Sequence, residues 1–269
     1  MVCLTEETTE TLYRIGAGDL VVGVSGFTVR PAEARRKPKV SAFLTADADA
    51  IAALHPDLVV GFSDLQAAIA RDLVKRGLAV LVTNQRSVAE ILQTIRVVSA
   101  AVGRAEAGEA LADELSAGLE RIAAGARALP RRPRVFFEEW PDPLISAIRW
   151  VSELVELAGG EDVCADCRGA HEARGRIYDP REVARRDPEV VIASWCGKRA
   201  RRDLIAARPG FGDTAAVRRD QIYEVASSVI LQPGPAALTD GVSQIADIVA
   251  AAAGGRHLPS KRLGSPRSA

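Results

Sequence analysis

From Arg104 to Leu129 the chain runs for about 26 residues of helical composition with no proline, roughly 39 Å at the α-helical rise. A helix of that length exceeds what covering one sheet requires. It stands between two series in which short Val/Ile/Leu runs alternate with longer Ala/Leu/Arg-rich stretches of helical period. That alternation is the pattern of parallel sheets covered by helices. The expected fold class is therefore α/β, with two Rossmann-like lobes, each built on a parallel-rich sheet, joined by one long helix.

In the first series the predicted strands are Val2 to Leu4, Leu20 to Val24, Lys39 to Ala42, Asp57 to Val60 and Ala79 to Val82. Helices are expected over Glu6 to Ile15, Asp47 to Leu54 and Asp64 to Arg76, the last ended by Gly77 as a left-handed cap. Helical composition resumes at Ser87, a plausible N-cap, breaks near Gly103, and ends at Pro130 and Pro133. The second series predicts strands Arg134 to Phe137, Glu189 to Ala193 and Gln221 to Val225. Its helices are Ile148 to Leu157, Pro180 to Arg186 and Pro235 to Ala253. The domain reading is a lobe over 1–103, a connecting helix over 104–130, a lobe over 131–254 and a disordered, Gly/Pro/Ser-rich basic tail over 255–269.

Thirty-five basic and 35 acidic side chains leave a formal net charge of zero, without the positive excess that phosphate-backbone binding needs, so nucleic acid is not an expected partner. No run of about 18 apolar residues predicts a membrane span. The amino terminus has neither the basic stretch nor the apolar core of a secretory leader, which predicts a cytoplasmic protein if Met1 is the natural start and a periplasmic one if a signal peptide was trimmed. Four cysteines in a chain of 269 do not make a disulfide scaffold. Phosphate-binding loops, zinc-hydrolase motifs and nucleophile elbows are missing, and the three histidines, His55, His171 and His257, fall outside the strand-end loops, so an enzyme is not expected.

Several motifs occur in order along the chain: Glu6-Glu7-Thr8-Thr9-Glu10-Thr11-Leu12, Ile15-Gly16-Ala17-Gly18-Asp19, Val22-Gly23-Val24-Ser25, Leu54-His55-Pro56-Asp57-Leu58-Val59-Val60 and Leu157-Ala158-Gly159-Gly160. The series, spanning about residues 1 to 250, resembles the helical-backbone substrate-binding proteins of the cobalamin and iron-siderophore class, which serve ABC transporters. Cys3-Leu4-Thr5-Glu6-Glu7, Glu138-Glu139-Trp140, Ser194-Trp195-Cys196-Gly197-Lys198 and Leu231-Gln232-Pro233-Gly234-Pro235 are most similar to its cobalamin-binding branch. The resemblance implies a bilobed binder with a ligand cleft between the lobes, a corrinoid or comparable metal chelate as ligand, and no required cofactor. It also implies an ABC permease as partner. Its usual acidic docking side chains are not evident, since Ala67 stands near the first position and Lys198 to Arg202 are basic in the second.

In open α/β sheets ligands bind beyond the carboxyl ends of the strands. That rule selects Thr5 to Glu7, Ser25 to Thr28, Phe43-Leu44, Phe62 to Gln66 and Asn84 to Arg86 in the first lobe. In the second it selects Glu138 to Trp140, Trp195 to Lys198 and Ser227 to Gln232. The expected ligand contacts are Phe27, Phe62, Trp140 and Trp195 as apolar surface, although aromatics are only 4% of the chain. Glu138 and Glu139 are expected to accept hydrogen bonds, and Asn84, Gln85, Arg86 and Gln232 to read the polar rim. Glu6 and Glu7 have a second reading as the acidic first turn of a helix capped by Thr5. An alternative function is a metal- or thiol-dependent cytosolic protein reusing the fold, centred on Cys3, Cys196 and the paired glutamates Glu6-Glu7 and Glu138-Glu139. Cys164-Ala165-Asp166-Cys167 with His171 offers ligand types that zinc accepts, or simply surface thiols in a loop.

Overall fold

The structure, a computed structural model, describes residues 1–258. The chain divides into two compact units, one of Met1–Gln85, Ala89–Ser116 and Pro233–Pro235, the other of Arg86–Val88, Ala117–Gln232 and the carboxyl-terminal segment from Ala236.

In the first unit β1 (Val2–Cys3) leads into α1 (Glu6–Arg14), followed by β2 (Val24–Ser25), β3 (Lys39–Ala42), β4 (Thr45–Ala46) and α2 (Ala48–Ala53). Then come β5 (Val59–Phe62), α3 (Ala67–Lys75), β6 (Val80–Thr83), α4 (Val88–Ala101) and α5 (Ala105–Arg127). β1, β5 and β6 form a parallel sheet in the order β1-β5-β6, and β2-β3-β4 form a second small sheet whose last pair is antiparallel. A single bridge between Val2 and Gly23 links the two. Val2, Leu4, Val40, Ile51, Val59 and Leu73 make the core here, each buried side chain of this size contributing about 1.5–3 kcal/mol.

The predicted strand at Leu20 to Val24 is shorter than expected, because Gly18–Leu20 winds into a single 3-10 turn before the chain extends at Val24. The helix expected from Asp64 begins as a 3-10 turn, Asp64–Gln66, with the Ser63 hydroxyl accepting from Leu65 N–H, and continues as α3. Gly77 and Gly103 both take the left-handed backbone that an L side chain resists, closing α3 and separating α4 from α5 as the sequence predicts. α5 is 23 residues long, and its neighbours Ser116 and Ala117 fall in different units.

The second unit is built on β7 (Arg134–Pro141), β8 (Leu144–Ser146), β9 (Glu161–Asp162), β10 (Val190–Ala193) and β11 (Ile222–Glu224), ordered β11-β10-β7-β8, with β9 paired to the start of β7. β7, β10 and β11 are parallel, while β8 folds back antiparallel on β7. Its helices are α6 (Arg149–Leu157), α7 (Pro180–Arg185), α8 (Arg202–Ala206), α9 (Ala215–Arg218), α10 (Ser227–Ile230) and α11 (Val242–Ala253). The expected helix from Pro235 starts with a π turn over Ala237–Gly241 and becomes α-helical only at Val242. One face of the sheet packs on Phe136, Val183, Val191, Trp195, Ile205 and Phe211, where Phe136 and Phe211 meet edge to face at 6.1 Å. On α6, Trp150 is buried and its indole N–H donates to Ile230 O at 3.0 Å. Of the predicted tail, 259–269 lie outside the described residues, while His257 stacks on Tyr223 at 5.7 Å and Leu258 N–H donates to the Tyr223 hydroxyl oxygen.

Candidate ligand-binding site

In the first unit the carboxyl end of β1 delivers Thr5 to Glu7. Thr5 has the extended backbone of an N-cap, but its hydroxyl donates to Glu7 Oε1 at 2.6 Å instead of capping α1. Glu7 is buried, its Oε2 has no hydrogen-bond partner, and burial pushes its carboxyl up to about 8. Gly234 is packed so closely that a Cβ there would lie 2.5 Å from the Glu7 Cβ. Glu6 is half-buried and is likewise raised, chiefly by desolvation.

Phe27, beyond β2, is 54% exposed. Leu44 beyond β3 is 63% exposed and Leu65 beyond β5 is 56% exposed, so three apolar side chains project from this unit's strand-end loops. Phe62 differs. It is buried, with its ring 6.5 Å from that of Phe43. Gln66 ties these loops together, accepting from Phe62 N–H at 2.9 Å and donating to Phe43 O at 2.8 Å. Leu44 and Leu65 went unassigned in the sequence because an aliphatic residue in a loop carries no chemical mark, although both lie in loops that the strand-end rule selects. Asn84 is exposed. Gln85 is buried, donating to Pro233 O at 3.2 Å and accepting from the Thr94 hydroxyl at 3.3 Å, so it serves the packing of this unit.

In the second unit the pairing register shifts between Glu138 and Trp140, a bulge that re-aims the side chains around it. Glu138 has no exposed surface. Its Oε1 accepts from the Trp195 indole N–H at 2.7 Å and from Arg208 Nη2 at 2.6 Å, and its Oε2 accepts from Arg208 Nη1. Trp195 is buried with it. Both are thus engaged inside the unit, where the buried carboxylate is neutralised by a two-point guanidinium contact. Glu139 is half-buried and also paired, with Arg176 Nη1 at 2.6 Å; that guanidinium, itself buried, donates again to Ser146 O. Trp140 remains partly exposed, its indole N–H donating to Asp142 O at 2.9 Å and the Lys198 ammonium lying 4.5 Å from its ring centroid. Arg86 and Gln232 are half-buried. Sequence reasoning missed Arg208 entirely, since it lies 70 residues from its partner on a different element.

Cys3 is fully buried and its thiol is pushed up to about 12, chiefly by desolvation, while Cys196 is exposed and belongs to the other unit. Cys164 sits in the second unit's core, with Cys167 packed partly against it and donating to Cys164 O at 3.0 Å. Among the described residues no group of three or more His, Cys, Asp or Glu side chains is arranged to hold a metal ion, and no helix is long and apolar enough to cross a membrane. Ala67 is exposed at the start of α3.

Residues 1–229 match the family model described as periplasmic binding protein. An uncharacterized ABC transporter substrate-binding lipoprotein, YvrC of Bacillus subtilis, is 24% identical over 258 residues, covering 93% of this chain and 79% of that protein. The vitamin B12-binding protein of Vibrio cholerae is 24% identical over 252 residues, covering 91% of this chain and 87% of its own. Among solved structures, the periplasmic heme-binding protein RhuT of Roseiflexus sp. RS-1 superposes with a TM-score of 0.77 at 27% identity, covering 92% of this chain and 98% of that one. The order of the strands, the long α5 and these likenesses agree: this chain belongs to the periplasmic binding protein family, as a substrate-binding protein of the ABC-transporter type.

Proposed function

We propose that this protein captures a corrinoid of the cobalamin type and delivers it to an ABC permease from outside the cytoplasmic membrane. What supports the reading is the set of apolar side chains at strand carboxyl ends, the exposed Phe27, Leu44 and Leu65 in one unit and the partly exposed Trp140 in the other, in a chain poor in aromatics. Flat apolar surfaces of this kind suit a large macrocycle, and a few polar groups around them suffice for orientation. Asn84 in the first unit and Gln232 in the second would each supply a polar group of this kind beside their own strand-end loops. Glu138 and Trp195 act from behind, holding the loop that presents Trp140. The names of the relatives, a lipoprotein and a vitamin B12-binding protein, support export and a corrinoid ligand. The alternative of a metal- or thiol-dependent protein has little support from Cys3, whose thiol is fully buried and held protonated by desolvation, and among the described residues no group of three or more His, Cys, Asp or Glu side chains is arranged to hold a metal ion.

The test is an absorbance spectrum and native mass of freshly purified protein, followed by titration with cyanocobalamin, cobinamide and hemin. A saturable one-to-one shift with a corrinoid is the expected result. Binding of hemin with no response to either corrinoid would reject the corrinoid assignment and favour the chemistry named for the Roseiflexus neighbour. Trp140→Ala is expected to weaken corrinoid binding about tenfold, the scale of losing one aromatic stacking contact, with an unchanged far-UV circular dichroism spectrum. Full affinity in that variant would remove Trp140 from the site.

A further inference from the structure

Trp140 is held rigidly. It pairs with Ile145 across the β7–β8 hairpin, and its indole N–H is fixed on Asp142 O at 2.9 Å. The chain leaving β10 is anchored nearby through the Trp195 indole N–H on Glu138, and then turns back, with Lys198 N–H donating to Trp195 O at 3.1 Å. Gly197, at φ +70°, makes that turn in a conformation a side chain would strain. The result is the Lys198 ammonium 4.5 Å from the Trp140 ring centroid.

Of the guanidinium groups that follow in the chain, Arg201 pairs with Asp203, Arg202 with Asp220 and Arg208 with Glu138, while the exposed Arg199 has no carboxylate partner among the described residues. No carboxylate pairs with Lys198 among the described residues. Its ammonium rests against an aromatic face and is itself exposed, an arrangement of low cost to disrupt. A ring system stacking on that face must displace the ammonium, which stays tethered at the ring's edge. There it regains an electrostatic partner if the ligand carries a carboxylate beside its ring, and gains little from a neutral amide.

We infer that Lys198 gates the face of Trp140 and makes it selective for a ligand with an anionic substituent next to its ring system. This rests on the reading of Trp140 as a ligand contact, and the experiment separates the two. Trp150 and Trp195 are buried, so collisional quenching of tryptophan fluorescence reports mainly on Trp140. At low ionic strength, Lys198→Gln is expected to lower the iodide quenching constant about two- to threefold, because the attracting charge is gone, and to raise the acrylamide constant as the ring is uncovered. Identical constants for both quenchers in the two proteins would overturn the inference. In the second arm, cyanocobalamin is compared with its monocarboxylate, in which one peripheral amide is hydrolysed. The native protein is expected to prefer the acid about two- to fivefold, the scale of an exposed cation–π or ionic contact, and Lys198→Gln to lose that preference. Retention of the preference in the variant would also overturn the inference. Failure of the native protein to bind either corrinoid would end the corrinoid reading, and the quenching arm then decides whether Lys198 gates Trp140.

Discussion

Glu7 places a carboxyl group in the interior of the first unit with one oxygen on the Thr5 hydroxyl and the other without a partner. Desolvation outweighs the hydrogen bond, so the group moves from an ordinary 4.5 to about 8 and is protonated in the native state at neutral pH. The unfolded chain releases that proton near 4.5, and the folded chain keeps it until about 8. Between those values the native state binds more protons than the unfolded one, so stability falls as pH rises through the window and levels off above it. Thermal denaturation from pH 4.5 to 9 is expected to show this decline in the native protein and a flatter profile in Glu7→Gln, with the variant's relative gain growing through the window and largest above about pH 8. Parallel profiles would mean that Glu7 does not carry the effect. Cys3 follows the same physics, since burial disfavours its thiolate, which is why a cysteine at a strand end is here a core residue.

At the scale of elements, the second unit's strand-end loops depend on the clamp between Glu138 on β7 and Arg208 beyond α8. Removing one partner leaves the other charge buried and uncompensated, so Arg208→Ala is expected to cost about 3–5 kcal/mol, whereas replacing both by apolar residues of similar volume costs far less. Urea unfolding of Arg208→Met, Glu138→Leu and the double variant measures the coupling; additive losses would show that the pair does not act as a unit. Trp195 belongs to the same clamp through its indole N–H. The bulge between Glu138 and Trp140 explains why adjacent residues on one strand have unlike fates: Glu138 is sealed inside, Glu139 is held by Arg176 and Trp140 reaches solvent. Strand alternation alone would have put Glu138 and Trp140 on the same face.

For the whole molecule, a ligand that binds only the native state must raise its melting temperature, the added stability growing with the logarithm of the ratio of ligand concentration to dissociation constant. Cyanocobalamin at about one hundred times its dissociation constant is expected to add about 2.7 kcal/mol of stability, readable as a thermal shift that disappears with an unrelated solute. No shift at saturating corrinoid would contradict the proposed ligand. What the sequence by itself determined is the architecture. The 3.6-residue and strand periods, the stops at Gly77, Gly103 and Pro130, and the ordered family motifs are local signals, and they predict parallel sheets, a break between α4 and α5 and a family of solute binders. The strand-end rule also selected the loops that carry the exposed Phe27 and the partly exposed Trp140. Only the tertiary structure decided which side chains in those loops face solvent. Phe62 is covered by Phe43, Gln85 is spent on Pro233 and Thr94, and Glu138 meets an arginine 70 residues away. Periodicity is written in neighbouring residues, but the burial of a side chain and the partner of a charge are set by segments distant in the chain, whose meeting no local pattern records.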